Sequence, residues 1–84
     1  MNRKHSPTLK LVFTDPVSPS VRWSDIEALL EAAGADTIEG AGSAVKFTYR
    51  GVIVSFHRPH PAKEAKRYQV RDAREFLTKI GVTP

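Results

Sequence analysis

The sequence predicts an α+β domain in which a three-stranded antiparallel sheet packs against helices. Two segments rich in Val, Ile, Phe and Tyr lie on either side of Arg50-Gly51, where glycine supplies the positive φ that a two-residue hairpin turn demands. Three further segments carry apolar residues at helical spacing, two before the hairpin and one after it. The predicted order is therefore an extra N-terminal helix followed by α-β-β-β-α.

Length and composition predict one small domain over residues 1–84, with residues 1–5 expected to fray. A chain of 84 residues that is 40% hydrophobic can bury a single core of modest size. It has no cysteine, which excludes disulfides and thiolate metal sites and is compatible with a reducing, cytoplasmic location. No apolar run is long enough to cross a bilayer, so no membrane partner is expected.

The positive charge is concentrated in the second half of the chain. Residues 1–42 carry four Lys/Arg and six Asp/Glu, whereas residues 43–84 carry nine and three, within a formal net charge of +4. A segregated basic surface favours a polyanionic partner, for which nucleic acid is the default, although an acidic protein surface would be attracted equally well.

Two helices are predicted before the sheet. The first starts at Ser6-Pro7, with Ser6 as N-cap, and ends by Pro16. The second starts at a capping box formed by Ser24 and Glu27 and stops at Gly34. Their buried stripes are expected to be Leu9, Val12 and Phe13 in the first and Ile26, Leu29, Leu30 and Ala33 in the second, with Trp23 folded against the same core.

The hairpin alternation fixes the register of the sheet. If Tyr49 pairs with Val52, then Ala44 pairs with His57 at the other end. One face is then wholly apolar and the other mostly polar, a separation that a one-residue slip would destroy. Thr37–Glu39 is a weaker strand candidate that would complete a three-stranded meander. Function is expected on the polar face, which holds Lys46 and His57.

The last helix is predicted from Arg67 to about Ile80. Its buried stripe is expected to consist of Val70, Ala73, Phe76, Leu77 and Ile80, followed by a stop at Gly81. Arg67, Arg71 and Arg74 recur at i, i+4 and i+7 and are expected to share one exposed flank, either as phosphate contacts or as a solvated face with pairs such as Arg71 to Glu75.

The residue types present favour acid–base chemistry over other reaction classes. No nucleophile–base pair, phosphate-binding glycine loop or metal-ligand set is evident, so no metal and no cofactor is expected. His57 and His60 lie in the segment HRPH, and histidine with lysine or arginine can supply the base, acid and cation that RNA cleavage requires. The alternative is that His57 merely ends a strand and His60 marks a rigid turn.

The ordered motifs of the chain resemble HicA-type toxins, specifically the branch with an extra N-terminal helix. The motifs are W-x-x-I-E-x-L-L-x-A-x-G-A from Trp23, then G-S before the hairpin, then H-R-P-H-P and a closing helix. The resemblance covers nearly the whole chain. It implies a small double-stranded-RNA-binding-like fold, activity as an mRNA interferase on RNA, and neutralisation by a HicB-like antitoxin.

One position departs from the family pattern. In HicA-type toxins the Gly-Ser pair is typically followed by the catalytic histidine, whereas Gly42-Ser43 is followed here by Ala44. Three interpretations remain open: Ala44 was introduced to disable a toxic protein, the active histidine has moved, or the chain binds RNA without cutting it. The register supports the second, because Ala44 should face His57 across the hairpin.

The predicted site therefore combines two groups of residues. The catalytic candidates are Ala44, as the position of the family histidine, together with His57 and His60. The predicted contacts to RNA and its phosphates are Ser43, Lys46, Arg58, Lys63, Arg67 and Arg71. The alternative function is a non-catalytic module that binds double-stranded RNA or a protein partner. A DNA-binding domain would need a free helix, and the helices are expected to cover the sheet.

Overall fold

The computed structural model describes all 84 residues and confirms the predicted α+β architecture. Three helices and three strands follow one another in the predicted order, and the strands form an antiparallel meander with β2 in the centre. The elements are α1 (Ser6–Val12), α2 (Trp23–Ala32), β1 (Asp36–Glu39), β2 (Ala44–Tyr49), β3 (Val52–His57) and α3 (Arg67–Lys79).

The β2–β3 hairpin has the register predicted from its alternation. Tyr49 pairs with Val52 and Ala44 pairs with His57. The turn residues Arg50 and Gly51 both have positive φ, at 47° and 85°. Two consecutive positive φ values are typical of the type I′ turn, whose twist matches that of the flanking strands. The hairpin therefore carries its polar and apolar residues on opposite faces.

The apolar face of the sheet packs against α2 and α3, and α1 packs against these two helices. Phe47 and Phe56 are buried, and the Phe56 ring packs edge-on against Trp23 at a centroid distance of 4.9 Å. Edge-to-face packing of this kind adds to the stabilisation from burial alone. No helix covers the opposite face, where Ile38 and Ile53 remain 51% and 62% exposed. This face of the sheet is thus open to solvent.

The predicted helix stripes are confirmed, with partial exposure at their ends. Phe13, Ala33 and Ile80 are half-buried, while the other predicted stripe residues are buried in the common core. α3 ends at Lys79, one residue before its predicted end. None of the three helices combines the length and apolarity that crossing a lipid bilayer requires.

The capping box predicted at Ser24 and Glu27 is wrong. α2 begins at Trp23, with Arg22 in the N-cap position, so Ser24 lies inside the helix. The connector after the sheet explains the earlier start: Arg22 forms a bridge with Glu64, and the Trp23 amide donates to the Lys63 carbonyl at 2.9 Å. A backbone acceptor therefore satisfies an amide at the start of the helix.

α1 likewise starts one residue earlier than predicted. Ser6 is its first residue and His5 takes the N-cap position, so Ser6 is not the N-cap. The Ser6 hydroxyl instead donates to the Asn2 carbonyl at 3.0 Å. The helix ends at Val12, well before Pro16. The fraying predicted for residues 1–5 stays a prediction.

Arg74 does not lie on an exposed flank with Arg67 and Arg71. Its guanidinium donates to the carbonyls of Val12 and Thr14 at 2.9 Å and forms an ion pair with Asp15 at 3.0 Å. The Val12 carbonyl ends α1 and the Thr14 carbonyl lies just beyond it, where no further turn of helix supplies a partner, so Arg74 ties the end of α1 to α3. The predicted Arg71–Glu75 pair is also wrong, since Glu75 pairs with Lys79.

Candidate functional site

Ser43 and His57 lie together at the open end of the hairpin. Ser43 immediately precedes β2 and His57 is the last residue of β3, and Ser43 Oγ lies 3.2 Å from His57 Nδ1. Just beyond the strand, the Arg58 amide donates to the Ser43 carbonyl at 2.9 Å. A side-chain contact and a backbone hydrogen bond therefore hold the two chain segments together at this point.

A buried glutamine fixes the same strand end from the helix side. Gln69, in the first turn of α3, is 1% exposed. Its Nε2 donates to the His57 carbonyl at 2.8 Å, and its Oε1 accepts from the Lys66 amide at 2.9 Å. Gln69 was not among the residues predicted for the site. The available signal was a polar side chain one turn before Ala73, on the otherwise apolar stripe of α3.

Two grooves meet at His57. The first, of about 470 Å³, runs over the polar face of the sheet and includes Ala44 and Lys46. The second, of about 480 Å³, lies between the hairpin end and the start of α3 and includes Ser43 and His60. The imidazole of His57 is exposed at their junction, so a bound chain could contact it from either side.

Ala44 lies in the first groove, directly across the strand pair from His57, as the register predicted. Gly40 lies beside it: a Cβ atom placed at Gly40 would be 2.9 Å from the Cβ of Ala44. The missing side chain at Gly40 leaves space on that side of residue 44. Glycine at position 40 therefore avoids a clash with the side chain of residue 44.

Arg58 is bound to two carboxylates. Its Nη1 and Nη2 donate to the two oxygens of Glu39 at 2.7 and 2.9 Å, and its Nε donates to Glu27 at 2.5 Å. These hydrogen bonds from Arg58 lower the pKa of Glu39, and the bonds to Glu39 and then Glu27 raise the pKa of Arg58 above its usual value. These two carboxylates compete with the phosphate that Arg58 was predicted to bind.

The Arg58 network also contains residues that were not predicted as part of the site. Glu27 accepts a further hydrogen bond from Trp23 Nε1 at 2.8 Å. Glu27 was predicted to form a capping box with Ser24, but it is half-buried and joins α2 to the segment after β3. Only the Trp23–Glu27 spacing of four residues was visible locally as a possible contact.

The remaining predicted cations are divided between different surfaces. Lys46 lines the first groove, while Lys63 lines a separate depression beside Arg22. Arg67 and Arg71 are exposed on α3 and line neither groove. The structure therefore brings six predicted residues to the two grooves, namely Ser43, Ala44, Lys46, His57, Arg58 and His60. No group of three or more His, Asp or Glu side chains is arranged to hold a metal ion.

Comparison with protein families identifies the relationship that the motifs indicated. The model of the family described as HicA toxin of bacterial toxin-antitoxin matches residues 23–82. The chain belongs to the HicA toxin family. The match includes α2, the whole sheet, the His57 region and α3, whereas α1 lies outside it. Membership of the HicA family implies an antitoxin partner. No curated protein and no solved structure matches the chain significantly.

Proposed function

We propose that this HicA toxin binds RNA along the two grooves and cleaves it by acid–base chemistry centred on His57. The hydrogen-bond distance between Ser43 Oγ and His57 Nδ1 carries the proposal. When Nδ1–H donates to the serine, the lone pair of the neutral ring is on Nε2. Ser43 thereby orients a base whose other nitrogen is available to substrate.

The proposed reaction is a transesterification, in which the phosphoryl group moves from the 5′-oxygen of the next nucleotide to the neighbouring 2′-oxygen. Nε2 of His57 takes the proton of the 2′-hydroxyl, the 2′-oxygen bonds to phosphorus, and the bond from phosphorus to the 5′-oxygen breaks. An acid returns a proton to the leaving 5′-oxygen, giving a 2′,3′-cyclic phosphate and a 5′-hydroxyl. His60, in the second groove, is the proposed acid.

Charge stabilisation in the first groove is assigned to Lys46. It is exposed on the central strand, two residues from Ala44 on the same face as His57. A cation there attracts the RNA phosphate and stabilises the additional negative charge of the transition state. Lys63, Arg67 and Arg71 lie outside the grooves and are proposed to bind more distant phosphates, which contribute affinity without sequence selection.

The antitoxin partner is proposed to be HicB-like and to cover the grooves. A protein that occupies the exposed junction at His57 would block RNA by steric exclusion, and an acidic surface would match the basic half of the chain. Since mRNA is the proposed target, the cytoplasm is the proposed place of action.

The second candidate function is RNA binding without cleavage, and Ala44 is the observation that favours it. The HicA pattern predicts a histidine here, and alanine cannot transfer a proton. The uncovered sheet face with Ile38 and Ile53 similarly favours protein binding. Both alternatives retain binding surfaces but require no acid–base role for His57.

Expression of the present sequence and of Ala44→His separates cleavage from binding alone. Growth arrest and cleavage of a generic mRNA would be measured for both, with RNA affinity measured on the purified chains. Cleavage by the present sequence supports catalysis by His57. Cleavage only by Ala44→His shows that the present chain binds RNA as a disabled toxin. Absence of RNA binding by both removes the proposal.

A further inference from the structure

Tyr68 lies between the two grooves and has no role in the proposed reaction. It is the second residue of α3, and 52% of its surface is exposed. His57 and Tyr68 are the two residues that line both grooves. An aromatic ring that stabilised the core would be buried, as Phe76 is further along the same helix. The exposure of Tyr68 therefore requires another explanation.

The charges around Tyr68 suit a nucleic-acid strand. Lys46 lies in the first groove and Lys66 in the second, while Arg67 precedes Tyr68 on α3. One carboxylate also lines each groove. Glu39 in the first is paired with Arg58, which leaves Glu64 in the second as the carboxylate without an ion pair. Phosphates can approach lysines on both sides of the ring.

We propose that the Tyr68 ring stacks on an unpaired base of RNA whose backbone passes over His57. The inference rests on the proposed RNA-binding function and adds the substrate class, single-stranded RNA. Bases inside a duplex have both faces covered by their neighbours, whereas an unpaired base can stack on an exposed aromatic side chain. Stacking tolerates every base, so Tyr68 contributes affinity and position without strong sequence preference.

The test compares RNA binding by full-length variants at one salt concentration. The probes are a fluorescent ten-nucleotide single strand and a hairpin duplex with the same bases. Tyr68→Ala removes the ring, Tyr68→Leu keeps apolar bulk, and Tyr68→Phe keeps the aromatic face. Ile53→Ala is the matched control, because Ile53 is also exposed but lines neither groove. Thermal unfolding of each variant checks that the fold is retained.

Tyr68→Ala and Tyr68→Leu are expected to weaken single-strand binding about tenfold or more, while Tyr68→Phe and Ile53→Ala stay within about twofold. Duplex binding should not change. A single strand containing 5-iodouridine should form a photo-cross-link to residue 68 in the wild type and in Tyr68→Phe.

Failure of the stacking role can be distinguished from failure of the proposed function. If the wild type binds single-stranded RNA and Tyr68→Ala binds it equally well, the stacking role is wrong while the proposed function stands. Equal losses on single strand and duplex would also overturn it, because they indicate a general electrostatic or structural effect. If the wild type binds neither probe, both the stacking role and the proposed function are overturned.

Discussion

Arg58 and Glu39 form a two-point ion pair, with hydrogen bonds of 2.7 and 2.9 Å, that joins the segment after β3 to the edge strand β1. The residues are 19 positions apart in sequence. Glu27 of α2 accepts from the same guanidinium at 2.5 Å. This network holds the backbone beside His57 against both the sheet edge and a helix, because bidentate pairing fixes orientation as well as distance.

The lowered pKa of Glu39 predicts that the folded protein loses stability as the pH becomes acidic. The pKa of Glu39 in the folded protein lies below the ordinary value of a glutamate, so the stabilisation is present above that ordinary value and is lost as pH falls through the folded pKa. Unfolding in urea, measured from about pH 6 to about pH 2, should show a smaller loss for Glu39→Gln than for the wild type. Glu64→Gln, which removes an unpaired carboxylate, is the control. Equal slopes for Glu39→Gln and wild type would contradict the prediction.

Glycine is predicted to be required at position 51 because of the backbone conformation there, and not because a side chain would lack space. Its φ is +85°, and an added Cβ would meet nothing within 4 Å. Gly51→Ala should therefore lower the free energy of unfolding by about 1–2 kcal/mol, the cost of left-handed backbone for a residue with a Cβ atom. Gly51→Asn should lose less, since asparagine tolerates this region. Chemical denaturation measures both, and a neutral Gly51→Ala would refute the assignment of a type I′ turn.

Gln69 is predicted to support both stability and the position of His57. Gln69→Leu keeps similar bulk but removes partners of the His57 carbonyl and the Lys66 amide. The expected loss in the free energy of unfolding is about 1–3 kcal/mol, because buried polar groups become unpaired. Arg71→Leu, at an exposed position on α3, should change stability little. Equal stability of Gln69→Leu and the wild type would show that these hydrogen bonds do not contribute.

Ser43 is predicted to position His57 without itself transferring a proton. Ser43→Ala should lower kcat for RNA cleavage roughly tenfold and leave KM nearly unchanged, since the imidazole loses its orienting partner while the phosphate contacts remain. Ser43→Thr retains the hydroxyl and should recover most of the rate. Steady-state kinetics on a defined RNA measure both variants. A rise in KM alone would assign Ser43 to substrate binding instead.

The sheet, and the end of the hairpin where the candidate site lies, could be predicted because the sequence signals for them are local. A period-two alternation around Gly51 is enough to set the register that places Ala44 opposite His57. The Arg58 network was not predictable, because Glu27 and Glu39 come from distant elements and no sequence pattern encodes which carboxylates a guanidinium will reach. Arg74 shows the same limit: its position on α3 suggested an exposed flank, but the end of α1, 62 residues earlier, supplies its carbonyl partner.

RNA cleavage by the purified chain and by His57→Ala tests the central claim most directly. His5→Ala is the matched control, since His5 lies outside both grooves. The wild type and His5→Ala should convert a labelled RNA to products ending in 2′,3′-cyclic phosphate. His57→Ala should be slower by about a hundredfold or more, as expected for loss of a general base. Equal rates for His57→Ala and the wild type, or no cleavage by the wild type, would contradict the assignment of His57.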